Sequence, residues 1–470
     1  MAMAAMLADI VPELILVGGG VVVLLYALVT PRRLQAGAAL LAAAVAAGSL
    51  AVSLWMLGGV ERLTFADTYA VDGVAVWAKV AILLTTLVVI GLSVEWFRTD
   101  PRHGEYYTLL LFSALGAVLL AGATELMQFT LSFLLSSVTG YILVAYHRAS
   151  RAASEAGIKY FLIGAFTGAA MLIGIAYLFG LAATTTLPGL QGDLTGGALV
   201  AGAALVVVAL AFKTGAVPAH AWVPDVAQGG PAPVAAFVTT APKVGGFVFL
   251  ARFVLVLPPE AVGWRPLLAV LAAATMTLGN LAALWQDDVR RLLGWSAVSQ
   301  TGYGLLAVVA LGRSGLAVPA LLFFLLAYTL ANVAAFGVVT ELRGRTDRTA
   351  YAGLARAHPW LAAALATSFL SFIGIPPLAG FPAKLLLFAA AIEAGYTWLA
   401  ILGIVNTAVS LFYYARVLAP SYFGELVEPV PVLGRLAFVG TLTAAAAVVA
   451  AGLVAEAFMR AFASAGLLPG

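Results

Sequence analysis

The chain has 470 residues, of which 63% are hydrophobic and only 10% charged, with a mean hydropathy of +1.06. A soluble domain carries roughly 25% charged residues, so water is excluded as the main solvent. The formal charge of +3 resides in Arg and Lys at the ends of apolar runs and points to membrane topology, not nucleic acid; the absence of cysteine excludes disulfides and Fe–S ligation by this chain.

Runs of about 18 or more apolar residues, each able to cross a hydrocarbon core of about 30 Å, recur along the whole chain. They predict fourteen transmembrane helices at 13–30, 35–58, 73–94, 106–123, 126–146, 156–180, 196–216, 232–257, 265–285, 289–312, 316–340, 359–394, 397–420 and 433–463. The expected fold is thus all-α, a single polytopic membrane domain over 1–470 with short loops, the longest polar ones near 96–105 and 341–358. Asp9 and Glu13 lie where a signal peptide would carry basic residues, so the first run is expected to be a true membrane helix. Gly18-Gly19-Gly20, inside that helix, suggests close helix packing and not a phosphate loop.

Lys213, Lys243 and Lys384 lie within or at the edge of apolar runs. Of the other 21 basic residues, 15 follow odd-numbered helices, from Arg32 and Arg33 through Arg416 and Arg435. Six lie on the other side: Arg62, Lys79, Arg252, Arg265, Arg313 and Arg460. The positive-inside rule then places the odd loops in the cytoplasm and both termini outside. Asp287, Asp288, Arg290 and Arg291 read as part of that orientation signal.

Two segments break the helical pattern. Helix 7 ends on Lys213-Thr-Gly-Ala-Val-Pro218 and then resumes as apolar sequence. The run from Trp360 to Gly395 would be about 54 Å long as one helix, and Gly374-Ile-Pro-Pro377 interrupts it. Proline removes a backbone donor and clashes with the preceding turn, and backbone freed at membrane depth is tolerated only where it lines a cavity or packs on protein. Two broken helices five apart suggest two inverted five-helix repeats, helices 4–8 (106–257) and 9–13 (265–420), flanked by helices 1–3 (13–94) and a last helix (433–463).

Lys243 lies about ten residues into its run, too deep to reach an interface, where a charged lysine is costly. Desolvation of that kind makes a lysine able to take and release a proton near neutral pH. The alternative is a structural lysine bonded to freed carbonyls. Lys213, beside the first break, has snorkelling to the surface as its alternative; Lys384 follows the second break by two turns. His220, Trp222 and Asp225 suit an amphipathic interfacial cap, and Lys159 with Glu155 an i,i+4 pair at the start of helix 6. The four histidines show no metal-ligand spacing, and no nucleotide, flavin or haem motif is present.

The stretch Gly215-Ala-Val-Pro-Ala-His-Ala-Trp-Val-Pro-Asp-Val-Ala-Gln-Gly-Gly-Pro-Ala-Pro-Val234, running on to Ala241-Pro242-Lys243, resembles the signature of the antiporter-like proton-channel subunits of NADH:quinone oxidoreductase (respiratory complex I). Asp288-Val-Arg-Arg-Leu-Leu-Gly-Trp-Ser-Ala-Val-Ser-Gln-Thr-Gly-Tyr303, Leu326-Ala-Tyr-Thr-Leu-Ala-Asn332 and Gly374-Ile-Pro-Pro-Leu-Ala-Gly-Phe-Pro-Ala-Lys384 extend the likeness, which is greatest for the subunit N group. The resemblance implies a chain of buried lysines joined by water: Lys213 in helix 7, Lys243 in helix 8 and Lys384 in helix 12, supported by Lys159, His220, Pro218 and Pro376. It implies no cofactor in this chain, with NADH, FMN, Fe–S clusters and quinone held by partner subunits. The partners would be other antiporter-like and small membrane subunits in a bacterial inner membrane. Relatives of the subunit L type carry a long lateral helix after the bundle, which is not expected in a chain ending at Gly470.

One departure stands out. The family carries a glutamate in mid-helix 5 that pairs with the helix 7 lysine; here Leu134 holds that position, and no acid lies between Glu125 and Glu155. Two other readings remain: a subunit of an Mrp-type cation/proton antiporter, which shares the fold and the lysines, and, favoured by Leu134, a structural subunit that no longer conducts.

Overall fold

The computed structural model describes residues 2–468 apart from 101, 193, 344 and 426–431, so Gly470 lies outside the described residues. Among the described residues, thirteen helices are long and apolar enough to cross a bilayer. Helices 1–5 are Val11–Val29, Gly37–Trp55, Gly73–Trp96, His103–Gly122 and Leu126–Val144; helices 6–9 are Arg151–Ala182, Gly197–Thr214, Ala232–Val256 and Trp264–Leu284. Helices 10, 11, 13 and 14 are Val289–Ala310, Ala317–Glu341, Thr397–Phe423 and Arg435–Leu453. Helix 12 comes in two pieces, Pro359–Ile373 and Gly380–Glu393, each shorter than a full span.

Burial sorts these helices into an inner and an outer set. Helices 3, 4, 8, 10 and 11 are covered on nearly all sides, whereas helices 1, 2, 6 and 13 present large apolar side chains such as Phe166 and Phe412 outward. Lipid is as apolar as leucine, so helices associate through close packing over small residues. Gly116 of helix 4 lies against the Ser136 backbone of helix 5, and Gly279 of helix 9 lies in the same way against Ser299 of helix 10: a Cβ at either glycine would come within 2.5 Å of the serine nitrogen. In the sequence's glycine triplet, Gly19 faces Val45 and Gly20 faces Phe112.

A second likeness joins the same helices. Glu125 caps helix 5 by accepting from Gln128 N (2.5 Å), and Asp288 caps helix 10 by accepting from Arg291 N (2.9 Å). Leu126 N donates to Thr185 O and Leu187 N to Thr124 O, each at 2.8 Å. Val289 N donates to Thr346 O (2.7 Å) and Arg348 N to Asp287 O (2.9 Å), the same two-bond bridge. Successive crossings alternate in direction, so these bridges lie on opposite faces of the bundle.

Several elements differ from the sequence reading. Helix 8 is not continuous: it stops at Val238 and restarts at Ala241. Pro242 cannot donate to the preceding turn, and the Thr239 and Thr240 hydroxyls bond back to Ala235 O and Ala236 O (2.7 and 2.5 Å), a pattern that bends helices. The last run bends at Val454 into a second helix, Ala455–Ala463. Helix 6 begins at Arg151, which puts Lys159 two turns inside it. Helix Ala2–Asp9 precedes helix 1, and a small hairpin, β1 (Arg62–Thr64) paired antiparallel with β2 (Tyr69–Val71), joins helices 2 and 3.

Candidate functional site

The breaks place three lysines in one kind of environment. Helix 7 ends at Gly215, whose φ of +80° suits glycine, and leaves its last carbonyls free of intrahelical partners. Lys213, in that last turn, is 2% exposed. It does not snorkel: its Nζ donates to Ser137 Oγ (2.9 Å) and Phe133 O (3.5 Å) of helix 5 and lies 5.1 Å from the Phe133 ring centre. Leu134 lies on the outer flank of this contact, 43% exposed. Ser137 is the side chain that meets the lysine directly.

Lys243 lies in the first turn of the second piece of helix 8. Its Nζ donates to Ala297 O (2.8 Å) and Thr301 Oγ1 (2.9 Å) of helix 10 and lies 5.1 Å from the Tyr328 ring centre. The Thr301 hydroxyl donates to Thr214 O (2.7 Å), the residue next to Lys213, and Gly246 packs against the Lys213 side chain. The helix 8 break is held from helix 11, where Tyr328 OH donates to Thr239 O (2.8 Å) and Asn332 Nδ2 to Thr239 Oγ1 (2.7 Å).

Lys384 repeats the pattern across the helix 12 break, where Gly374 takes φ +91°. Its Nζ donates to Ile373 O (3.4 Å) and to Thr407 Oγ1 of helix 13 (3.2 Å), and lies 4.0 Å from the Tyr303 ring centre. Tyr328, Gln300 and Lys384 line one small void of about 10 Å³, close to the least space that holds one water. Tyr328 thus touches the surroundings of both Lys243 and Lys384.

Each lysine therefore has one hydroxyl, one main-chain carbonyl and one aromatic face, and among the described residues none makes an ion pair with a carboxylate. A hydroxyl donates as readily as it accepts. Such a site satisfies an ammonium, which donates throughout, and a neutral amine, which accepts from the rotated hydroxyl.

The remaining candidates lie at the edge of this row. Pro218 and Pro376 sit in the two turns, each preceded or followed by a cis peptide bond (Val217–Pro218, Pro376–Pro377). His220 is half-buried with its ring 5.6 Å from Trp295. Trp222 and Asp225 do more than cap an interface. Trp222 is buried, donating to Phe212 O (3.1 Å). Asp225 accepts from Lys159 (3.0 Å) and Arg291 (2.6 Å), which joins helix 6 to helix 10. Lys159 also reaches Glu155 (2.6 Å). Asp287 pairs with Arg348 and Arg416.

Two charges counted from sequence among the loops are buried. Lys79, fully enclosed in helix 3, pairs with Glu13 of helix 1 (2.7 Å), which also accepts from Tyr69 OH (2.5 Å). Arg252, fully enclosed in helix 8, pairs with Asp72 (2.6 Å) and donates to Ala121 O (3.2 Å). A charge withdrawn from water needs a partner, but these partners lie far off in the chain and no local pattern announces them. The basic residues opposite the 15 accordingly shrink to Arg62, Arg265, Arg313 and Arg460. No group of three or more His, Asp or Glu side chains suited to a metal is present among the described residues.

The fold is a bundle of membrane-spanning helices in which three buried lysines have no carboxylate partner among the described residues, and comparison with known proteins supplies the class. Residues 123–410 match the family model described as NADH:quinone oxidoreductase/Mrp antiporter, TM. The chain is 45% identical over 394 residues to NADH-quinone oxidoreductase subunit N of Mycobacterium sp. (strain JLS), covering 83% of this chain and 84% of the relative. It is 41% identical to subunit N 1 of Streptomyces griseus, with 88% of each covered. A chain of respiratory complex I from Thermus thermophilus with bound aureothin superposes with a TM-score of 0.84 at 33% identity, over 97% of this chain and 100% of that one. A chain of the Mrp complex from Dietzia sp. shares the fold (TM-score 0.86, 98% and 96% covered) at 21% identity. This chain belongs to the NADH:quinone oxidoreductase/Mrp antiporter family, in its subunit N branch.

Proposed function

We propose that this multi-pass protein is a membrane-arm subunit of a NADH:quinone oxidoreductase and carries protons through Lys213, Lys243 and Lys384, with water between them. Quinone reduction elsewhere in the complex supplies the driving force; NADH, FMN, Fe–S clusters and quinone belong to partner subunits. The observation that carries this reading is the shared lysine environment of hydroxyl, carbonyl and ring without a carboxylate. The chain's enzymatic role lies in the assembly, as a translocase component.

The paired contacts of helices 4–5 and 9–10, and the twin bridges on opposite faces, support two inverted five-helix units. The basic asymmetry supports an inner-membrane orientation with both termini outside the cytoplasm. A reporter fused at Gly470 should then behave as exported; a cytoplasmic signal would require an odd number of crossings.

Lys243→Met and Lys384→Met test the relay in the assembled, reconstituted complex. Methionine keeps length and removes the titratable amine, so assembly should persist while pumping per electron falls severalfold. Full pumping in both variants defeats the relay. It would favour the reading that Leu134 invites, a structural subunit that no longer conducts.

A further inference from the structure

A groove unconnected to any role above opens on the outer surface between helices 4, 5 and 6, with a volume of about 660 Å³. Its walls are Val138 and Ile142 of helix 5 and Ile158 and Phe161 of helix 6, each about half exposed. At its mouth, where helix 4 begins and helix 5 gives way to helix 6, stand Arg102 and Arg148, with Glu105 beside them. Arg102 lies against the Tyr146 ring (5.8 Å to the ring centre). Among the described residues neither arginine lies within ion-pair distance of a carboxylate.

We propose that this groove binds an anionic phospholipid, its phosphate between Arg102 and Arg148 and an acyl chain along helices 5 and 6. Arg102 directly precedes helix 4 and Arg148 lies in the turn between helices 5 and 6, the depth of a headgroup, and the apolar walls run from there about two turns into the membrane. Guanidinium groups are suited to phosphate oxygens. Two arginines against one glutamate leave one net positive charge, worth an affinity gain of about fivefold for an anionic over a zwitterionic lipid. Tyr141 also lines the groove, edge-on to Phe161 (5.7 Å) and one helical turn from Ser137, the residue that holds Lys213. An acyl chain seated there packs on the wall that positions the first lysine of the row.

The test uses the intact assembly in phosphatidylcholine vesicles, with a trace of photoactivatable phosphatidylglycerol or of the matching phosphatidylcholine probe. Crosslinks to residues 138–161 are counted by mass spectrometry. The phosphatidylglycerol probe should label this segment about fivefold more than its counterpart. The preference should vanish in the Arg102→Gln/Arg148→Gln variant and persist in Arg102→Lys/Arg148→Lys. Equal labelling by the two probes in the unaltered protein would make the groove ordinary annular surface and overturn the proposal. Labelling by neither would show a neighbouring subunit covering the groove, and would overturn it equally.

Discussion

Lys79 and Lys243 are both buried lysines in transmembrane helices, yet they are built into opposite settings. Lys79 faces a carboxylate at 2.7 Å and, a short distance away, Arg252 faces another at 2.6 Å. Together these pairs fasten helices 1, 3 and 8 at one end of the bundle, and Asp72 also accepts from Leu468 N (2.9 Å) in the chain's last described turn. Among the described residues Lys243 faces a carbonyl, a hydroxyl and a ring, and no carboxylate. A fixed counter-charge holds a proton in place, because releasing it strands a buried anion. Neutral dipoles tolerate either state. The difference separates charges that hold the structure from charges that can move protons.

The largest effect should come from breaking a fixed pair. Arg252→Met leaves Asp72 ionised and enclosed, a loss of about 3–5 kcal/mol. We expect little assembled complex, scored by native gel or co-purification of partner subunits. Normal assembly with reduced pumping would instead move Arg252 into the conducting class.

Lys79→Met should have a nearly equal cost for the same reason, and the double variant Lys79→Met/Glu13→Gln should recover most of it. The coupling expected from such a cycle is about 2–3 kcal/mol in thermal stability of the assembly. For Lys243→Met no recovery by removing an acid is expected, since no acid among the described residues faces it. An additive result at Lys79 and Glu13 would erase the distinction between the two lysines.

A smaller effect belongs to the prop between two lysines. Tyr328→Phe removes the donor to Thr239 O while keeping the ring beside Lys243. Hydrogen bonds inside membrane proteins are worth about 0.6 kcal/mol on average, so assembly should persist. Pumping should slow because the helix 8 break loses a support. An unchanged pumping rate would mean that Pro242 and the threonines alone hold the break open.

Much of this was legible in the sequence. Hydropathy runs marked the crossings, since the hydrocarbon thickness sets their length, and Gly215–Pro218 and Gly374–Pro377 marked two breaks through residues that cannot continue a helix. The third break was written as Thr239-Thr240-Ala-Pro242 but hidden inside a continuous apolar run. Its sign is chemical, hydroxyls competing with the backbone, and hydropathy is blind to it. Lys79 and Arg252 were misplaced for a different reason: a charge near a run's end reads as a loop residue unless its partner is known. The hydroxyls serving the lysines, Ser137, Thr301 and Thr407, carry no signal in composition and come together only in the folded bundle.

The finest test concerns the family's helix 5 glutamate. Placing an acid near Lys213 should move that site from the second class toward the first. Leu134→Glu does so obliquely, because position 134 lies on the outer flank and Ser137 already occupies the direct contact. At about 10 Å and an effective dielectric of about 40, the added carboxylate contributes about 0.8 kcal/mol, equivalent to about 0.6 pH unit. A negative charge holds the proton on the lysine, so the pumping profile should shift toward higher pH by about that amount. Ser137→Asp, which puts the acid in direct contact, should shift it further and lower the maximum rate as Lys213 becomes fixed in the manner of Lys79. If Leu134→Glu shifts the profile as much as Ser137→Asp does, helix 5 presents residue 134 to the lysine in the assembled complex. If neither moves it in a stable assembly, release from Lys213 does not limit pumping, and the missing glutamate has no consequence for this subunit's rate.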